Sequence, residues 1–167
     1  SGTIVMNSTT AGKTLSGIGT SGWGGVRPLY NLTFDGVGGE WSLGTGICIT
    51  CGAEIINNLT ITNGRVIAPD SKLEIGGNYL NSGGILNHNN GTINLTSTTG
   101  SKTIAGTRSG AAGKFNNLTF NGVGGSWSFT SNPAVEIVND FSLSNGTLTS
   151  TSGTLSIAKN FSNSGTY

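Results

Sequence analysis

The sequence predicts an all-β protein, a parallel β-helix (β-solenoid), and three observations support this prediction. First, residues Asn31 to Leu43 match Asn117 to Phe129 at ten of thirteen positions with an offset of 86, and such internal repeats are typical of stacked architectures. Second, short pairs of apolar residues alternate with polar ones, as in strands with one buried face. Third, no apolar stripe with helical spacing exceeds one turn, and Gly, Asn, Thr and Ser, which disfavour helices, occur throughout.

The internal repeat extends over nearly the whole chain. Residues 2–17 align with 91–106 at an offset of 89, and residues 54–83 align with 136–165 at an offset of 82. The offsets differ because short stretches are added or lost between strands, where loops belong. We therefore interpret the chain as a single β-solenoid over residues 1–167, with two long repeats at approximately 1–86 and 87–167.

The strands are predicted in order from alternating apolar pairs, each of which places two apolar side chains on one face. The pairs are Leu32/Phe34, Trp41/Leu43, Leu59/Ile61, Leu73/Ile75, Ile93/Leu95, Leu118/Phe120, Trp127/Phe129, Val135/Ile137, Phe141/Leu143 and Leu155/Ile157. Asn-Gly and Gly-Gly dipeptides separate these pairs and predict turns, for example at Asn63-Gly64 and Gly38-Gly39.

The spacing of strand starts predicts the length of one coil. Segments of the form Asn/Asp-apolar-x-apolar, or close variants, begin at Asn31, Asn58, Asn78, Asn117, Asp140 and Asn160, with spacings of 27, 20, 39, 23 and 20 residues. The long interval contains another strand, so we expect about eight coils of roughly 20–27 residues. Asparagine at several of these starts could hydrogen-bond from coil to coil. An antiparallel β-sandwich is the alternative, but it does not require equivalent residues to recur at coil spacing.

Composition excludes several classes of partner. Gly, Thr, Ser and Asn make up 91 of the 167 residues, yet only 9% are charged and 34% are hydrophobic, which differs from the composition of disordered chains. With a net charge of +1, the chain has no basic field for nucleic acid and no basic amphipathic stretch for a membrane surface. No run approaches the roughly 20 apolar residues of a membrane-spanning helix. We therefore expect neither nucleic-acid binding nor membrane insertion.

Candidate chemistry is sparse. The seven acidic residues are scattered, and in the second copy Asp35 is replaced by Asn121 and Glu40 by Ser126. The sequence therefore predicts no enzyme: no catalytic residues, no cofactor and no metal site. The one histidine, His88, lies in a polar run and is interpreted as an exposed loop residue.

Cys48 and Cys51 lie in a stretch that the second copy lacks. We interpret them as a candidate disulfide that tightens an inserted loop in an oxidising compartment. Free thiols, or a metal or redox role, are the alternatives, although a single CxxC without a following helix is weak support for either of the last two.

Five aromatic residues are predicted to form the core of the repeats, because they alternate with other apolar residues at equivalent positions. They are Phe34, Trp41, Phe120, Trp127 and Phe129. Stacking of sugar rings on exposed tryptophan is the alternative role. Trp23, which has no counterpart in the second copy, is the better candidate for a surface contact.

The ends of the alignment suggest assembly. Tyr167 aligns with Ile85 and Ser1 with Asn90, so the chain stops shortly before the point at which its own repeat begins. We expect the repeat to continue beyond both ends, in the same chain or in another subunit, because uncapped coils leave unpaired backbone groups. The candidate residues for end-to-end stacking are Thr3, Ile4, Val5, Phe161 and Tyr167.

Segments such as NNLTF, NGVGG, GGNYLNSGG and SNGTL resemble the Gly/Asn/Thr/Ser-rich β-helix repeats of large bacterial and archaeal surface proteins, including filamentous adhesins. The resemblance implies a secreted, non-catalytic protein at the cell surface or outside the cell: a stalk, an adhesin or a filament. Its partners would be copies of itself, or further repeats of the same chain, with surface glycans as another candidate. The alternatives are a carbohydrate-binding or carbohydrate-degrading β-helix domain and, third, ice binding, for which no Thr-x-Thr array recurs at coil spacing.

Overall fold

The computed structural model describes residues 1–19, 27–44, 52–130 and 134–167, which form a parallel β-solenoid. Every strand pair in these ranges is parallel, which contradicts the sandwich alternative. The strands are β1 (Thr3–Met6), β2 (Lys13–Leu15), β3 (Asn31–Leu43), β4 (Ala53–Ile55), β5 (Leu59–Ile67), β6 (Lys72–Ile75), β7 (Tyr79–Asn81), β8 (Ile85–Asn87), β9 (Thr92–Leu95), β10 (Lys102–Gly106), β11 (Asn117–Phe129), β12 (Val135–Ile137), β13 (Phe141–Thr149), β14 (Leu155–Ile157) and β15 (Phe161–Asn163). One four-residue helix, α1 (Gly110–Gly113), interrupts them.

Residues of successive coils stack in register along the solenoid. One ladder passes through β1, β3, β5, β7, β10 and β11, and aligns Ile4, Leu32, Leu59, Tyr79, Ile104 and Phe129. This ladder spans about five turns, and β13 extends it. The predicted number of about eight coils differs from this value. The prediction counts strand starts, whereas the number of turns depends on which strands stack in register.

Equivalent strands of the two long repeats do not stack in the same ladder. Leu32 and Leu118 are equivalent in sequence, but Leu32 stacks between Ile4 and Leu59, whereas Leu118 stacks in a different ladder, between Ile93 and Phe141. Ile104 of the second repeat continues the ladder of Tyr79, to which Leu32 also belongs. The sequence equivalent of Ile104 in the first repeat, Leu15, lies in a different ladder, opposite Leu43 at the end of β3. The second repeat is therefore rotated by one face of the solenoid relative to the first.

Alternation produces the core. Along β3 and β11 buried and outward side chains alternate on either side of the Gly-Val-Gly-Gly segment: Leu32, Phe34, Leu118 and Phe120 are among the buried ones, and the intervening threonine and serine side chains face outward. Such burial excludes apolar surface from water at about 25 cal/mol per Å². The coils thus share one continuous hydrophobic core along the axis.

The Gly-Val-Gly-Gly segments differ from the predicted turns. The structure assigns them to the middle of β3 and β11, where the pairing with β5 and β13 shifts register. Gly38 and Gly124 have φ of +78° and +80° there, a conformation that glycine adopts without strain. Each segment is a corner that turns one long strand onto the next face.

Asparagine side chains connect the coils at the strand starts, as the sequence suggested. The Oδ1 atom of Asn31 accepts hydrogen bonds from the backbone N–H of Asn58 (3.1 Å) and the side-chain amide of Asn57 (3.0 Å). The Oδ1 atom of Asn58 accepts from the backbone and side-chain amides of Asn78, at 2.9 Å and 3.0 Å. Asp140 takes the equivalent part in the second repeat, accepting from Asn160. These bonds satisfy backbone groups at a corner where strand pairing stops.

We expect Asn58→Ala to lower the free energy of unfolding by about 1–3 kcal/mol, because the amide of Asn78 loses its acceptor in a part-buried place. Asn58→Asp keeps the acceptor oxygen and matches the natural residue Asp140, so it should cost less than half as much. Urea denaturation of both variants measures the difference. Equal losses for the alanine and aspartate variants would show that the hydrogen bonds do not stabilise the corner.

Candidate functional site

The predicted core aromatic residues lie inside the solenoid. Phe34, Trp41, Phe120 and Trp127 are fully or almost fully buried, and Phe129 is buried at 7% exposure. The ring of Phe34 lies 5.2 Å from that of Trp41, and the equivalent pair, Phe120 and Trp127, has the same separation. These side chains therefore fill the core and do not present a sugar-binding surface. Trp23, Cys48 and Cys51 lie outside the described residues.

Two carboxylates that the sequence analysis did not pair are neighbours in the structure. Glu54 and Glu74 stand in register on β4 and β6, one coil apart. Glu74 is bound by the ammonium group of Lys72 at 2.9 Å and by the side-chain amide of Asn94 at 3.1 Å. Their separation of 20 residues, equal to one coil, was the signal that could have predicted the pair. Within the described ranges no three metal-ligating side chains come together.

His88 lies at a cleft that is also lined by Arg65, Ile85 and Lys114. Its Nδ1 atom accepts a hydrogen bond from the backbone N–H of Asn90 at 3.1 Å. Burial, and to a lesser degree Lys114, lower the pKa of the His88 imidazole below its usual value. His88 is thus partly buried, where the sequence predicted an exposed loop residue.

No pattern in the sequence indicates that Arg108 is buried, because arginine is normally exposed. Arg108 is fully buried, and its guanidinium donates hydrogen bonds to the carbonyl groups of Ile104 and, at 2.9 Å, Thr130. It also lies 5.5 Å from the ring centre of Phe129. Burial lowers the pKa of Arg108, whereas it raises the pKa of the buried Tyr79 hydroxyl. Arg108 holds two strand ends together by satisfying their carbonyl groups.

The two ends of the stack carry apolar side chains that no coil of the described chain covers. At the N-terminal end surface, formed by Thr3, Ile4 and Val5, the side chain in register with buried Leu32, Ile4, is 43% exposed, and Val5, which faces outward like Thr33, is 52% exposed. At the C-terminal end surface, formed by Phe161 and Tyr167, the exposures are 50% and 54%. Among the described strands, β1 pairs through its residues only with β3, and β15 only with β13.

The C-terminal end surface is ordered as a continuation of the core. The ring of Phe161 stacks on that of Phe141 with a centroid distance of 5.2 Å and an interplanar angle of 9°. Tyr167 packs against Phe161 at 5.9 Å, and its hydroxyl hydrogen-bonds to the Ser150 hydroxyl at 2.6 Å. The surface thus presents aromatic side chains that are already fixed in place.

Comparison of the chain with protein-family models, with curated proteins and with solved structures finds no match in any of the three. No helix in the described ranges is long and apolar enough to span a bilayer.

Proposed function

We propose that this protein is a structural, non-catalytic unit of an extracellular β-solenoid fibre, filament or adhesin stalk, whose coils stack end to end. The observation that supports the proposal is the contrast between the ends and the middle of the stack. Phe161 is 50% exposed, whereas Tyr79, its equivalent in the first repeat, is 1% exposed beneath a further coil. The side chain at the end belongs to the same ladder pattern and lacks only the next coil.

The open strands support the same proposal. An edge strand presents unpaired N–H and C=O groups, and most proteins protect such edges with charges, proline or a covering segment. β1 and β15 contain none of these residues: their sequences are TIVM and FSN. Both edges therefore favour pairing with another parallel strand. In solution, a second copy of this chain can supply that strand.

The walls of the solenoid suit an inert spacer. Their outward ladders consist largely of Thr, Ser and Asn, for example Thr119, Ser142 and Ser162. Where Glu54 and Glu74 stand in register, Lys72 already neutralises Glu74 in part. The extracellular location rests on the resemblance to surface-protein repeats and on this hydroxyl-rich wall in a chain with only 9% charged residues.

We expect Phe161→Lys and Ile4→Lys each to weaken self-association at least about tenfold, because a charge would have to be buried in a dry junction. Both side chains are about half exposed in the single chain, so the variants should keep their far-ultraviolet circular dichroism spectrum. Sedimentation velocity over a range of concentrations measures the association.

Val123→Lys is the matched control, since Val123 is 75% exposed on a corner of the wall and not at an end. It should associate like the unmodified protein. A protein that sediments as a monomer at every concentration, or end variants that associate as strongly as Val123→Lys, would contradict the proposed function.

A further inference from the structure

The chain contains one complete junction between two repeats, and we propose that copies of the chain join one another in the register of that internal junction. This inference rests on the proposed end-to-end stacking and adds its geometry. The partner is a second copy of the same chain, presenting its N-terminal coil to the C-terminal coil of the first.

The internal junction consists of two pairs of strands. β6 of the first repeat pairs with β9 of the second, placing Leu73 opposite Ile93 and Ile75 opposite Leu95. β7 pairs with β10, which places Tyr79 opposite Ile104. All six of these side chains are buried.

The repeat alignment identifies strands at the two ends of the chain that are equivalent to the strands of the internal junction. At an offset of 82, β6 and β7 correspond to β14 and β15; at an offset of 89, β9 and β10 correspond to β1 and β2. Leu155 would therefore lie opposite Ile4 of the next copy, and Phe161 opposite its Leu15. The apolar character is kept at each of these positions.

Burial differs at each of these positions in the direction that the proposal requires. Ile93 is 2% exposed but its equivalent Ile4 is 43% exposed. Leu73 and Ile104 are buried, whereas their equivalents Leu155 and Leu15 are only partly buried. One half of the internal junction thus has its equivalent at the C-terminal end, in β14 and β15, and the other half at the N-terminal end, in β1 and β2.

Two glycines show that the N-terminal end has the shape to receive another coil. A Cβ atom on Gly91 would overlap the carbonyl oxygen of Pro69 in the preceding coil, so the close approach there requires glycine. Gly2 is the equivalent residue, and nothing lies within 4 Å of its Cβ position. Gly106 likewise admits the backbone of Asn81, whereas its equivalent Gly17 meets nothing. Within the described part of the chain no contact accounts for glycine at position 2, whereas the φ of +78° at Gly17 favours glycine by itself.

The internal junction also fixes the relative orientation of the copies. Because the second repeat is rotated by one face, a junction of the same kind places β14 on β1 and β15 on β2 of the next copy. A junction that stacked equivalent strands without rotation would instead place β15 on β1. The two arrangements bring different outward side chains together, so cross-linking distinguishes them.

Cysteine pairs test the register in a background of Cys48→Ser and Cys51→Ser. In the proposed junction Ser156 lies opposite Val5 of the next copy, as Glu74 lies opposite Asn94 inside the chain. Neighbouring strands are about 4.8 Å apart, within the range that a disulfide spans. We expect Val5→Cys/Ser156→Cys to form covalent oligomers on mild oxidation, and Val5→Cys/Ser162→Cys, which reports the unrotated junction, to form at least about fivefold fewer.

Gly2→Val is a second test that does not depend on cysteine. It should leave the melting temperature of the monomer unchanged, since its side chain meets open space, but should abolish association by colliding with the carbonyl of Thr151 in the neighbouring copy. Preferential cross-linking through Ser162, or normal association of Gly2→Val, would overturn the proposed register while leaving end-to-end stacking intact. Absence of any association in the parent protein would instead overturn the proposed function.

Discussion

Replacing Gly122 with alanine is expected to prevent the protein from folding, or to lower its free energy of unfolding by more than about 4 kcal/mol. The added Cβ atom would overlap the carbonyl oxygen of Ser97 and lie 2.7 Å from its carbonyl carbon. Both atoms belong to the backbone of the preceding coil, two residues after β9, whose pairing with β6 and β11 limits how far this backbone can shift. Domains of this size are stabilised by only about 5–15 kcal/mol, so the loss would be decisive.

Two matched substitutions make this prediction specific. Gly2→Ala should leave stability unchanged, because nothing lies within 4 Å of the new atom. Gly36→Ala meets the carbonyl of Ser8 in the same way as Gly122→Ala meets that of Ser97, but the strands on either side of Ser8, β1 and β2, pair among the described strands only with β3. We expect an intermediate loss at Gly36. Circular dichroism melting curves compare the three, and a Gly122→Ala protein that melts within about 2 °C of the parent would contradict the close packing of coils.

Replacing Trp127 with alanine is expected to cost about 3–5 kcal/mol, the usual loss for a large buried aromatic side chain. Trp127 is 2% exposed and contacts Phe120, and its ring lies where side chains on Gly125 and Gly146 would otherwise be: their Cβ positions fall 2.6 Å from ring atoms. Glycine at both positions means that no neighbouring side chain is available to fill the space that the indole leaves.

Trp127→Phe is the control for Trp127→Ala. It keeps an aromatic ring against Phe120, and the indole nitrogen has no hydrogen-bond partner in the described part of the chain, so no hydrogen bond is lost. We expect it to cost about 1–2 kcal/mol in urea denaturation. A loss below about 1 kcal/mol for Trp127→Ala would mean that the residue is not part of the core.

The two buried tryptophans and their neighbouring glycines show what the pattern within one strand predicts and what it does not. Alternation was enough to predict that Trp41 and Trp127 face inward, because a strand has only two faces. It was not enough to explain the glycines beside them, which were predicted as turns. Their additional role is to leave room for the indole ring, as Gly39 and Gly64 do for Trp41. That role depends on contacts between coils, which a pattern within one coil does not contain.

For the same reason, the alignment predicted the repeat but not the rotation of the second repeat relative to the first. The alignment predicted two equivalent repeats, but equivalence in sequence does not fix the face on which each strand lies. That depends on how many strands the chain completes per repeat, and the exact number of corners is visible only in the ladders that join Tyr79 to Ile104. Arg108 was missed for a related reason: its burial follows from two carbonyl groups that the coil geometry brings together, and no motif surrounds it.

Electron cryomicroscopy of the purified chain at increasing concentration distinguishes an end-to-end assembly from single subunits. We expect elongated particles in which rungs spaced by about 4.8 Å continue without interruption from one subunit to the next, each subunit turned by one face relative to its neighbour. Particles that keep the length of a single chain at every concentration would contradict the claim that this solenoid is a unit of an end-to-end assembly.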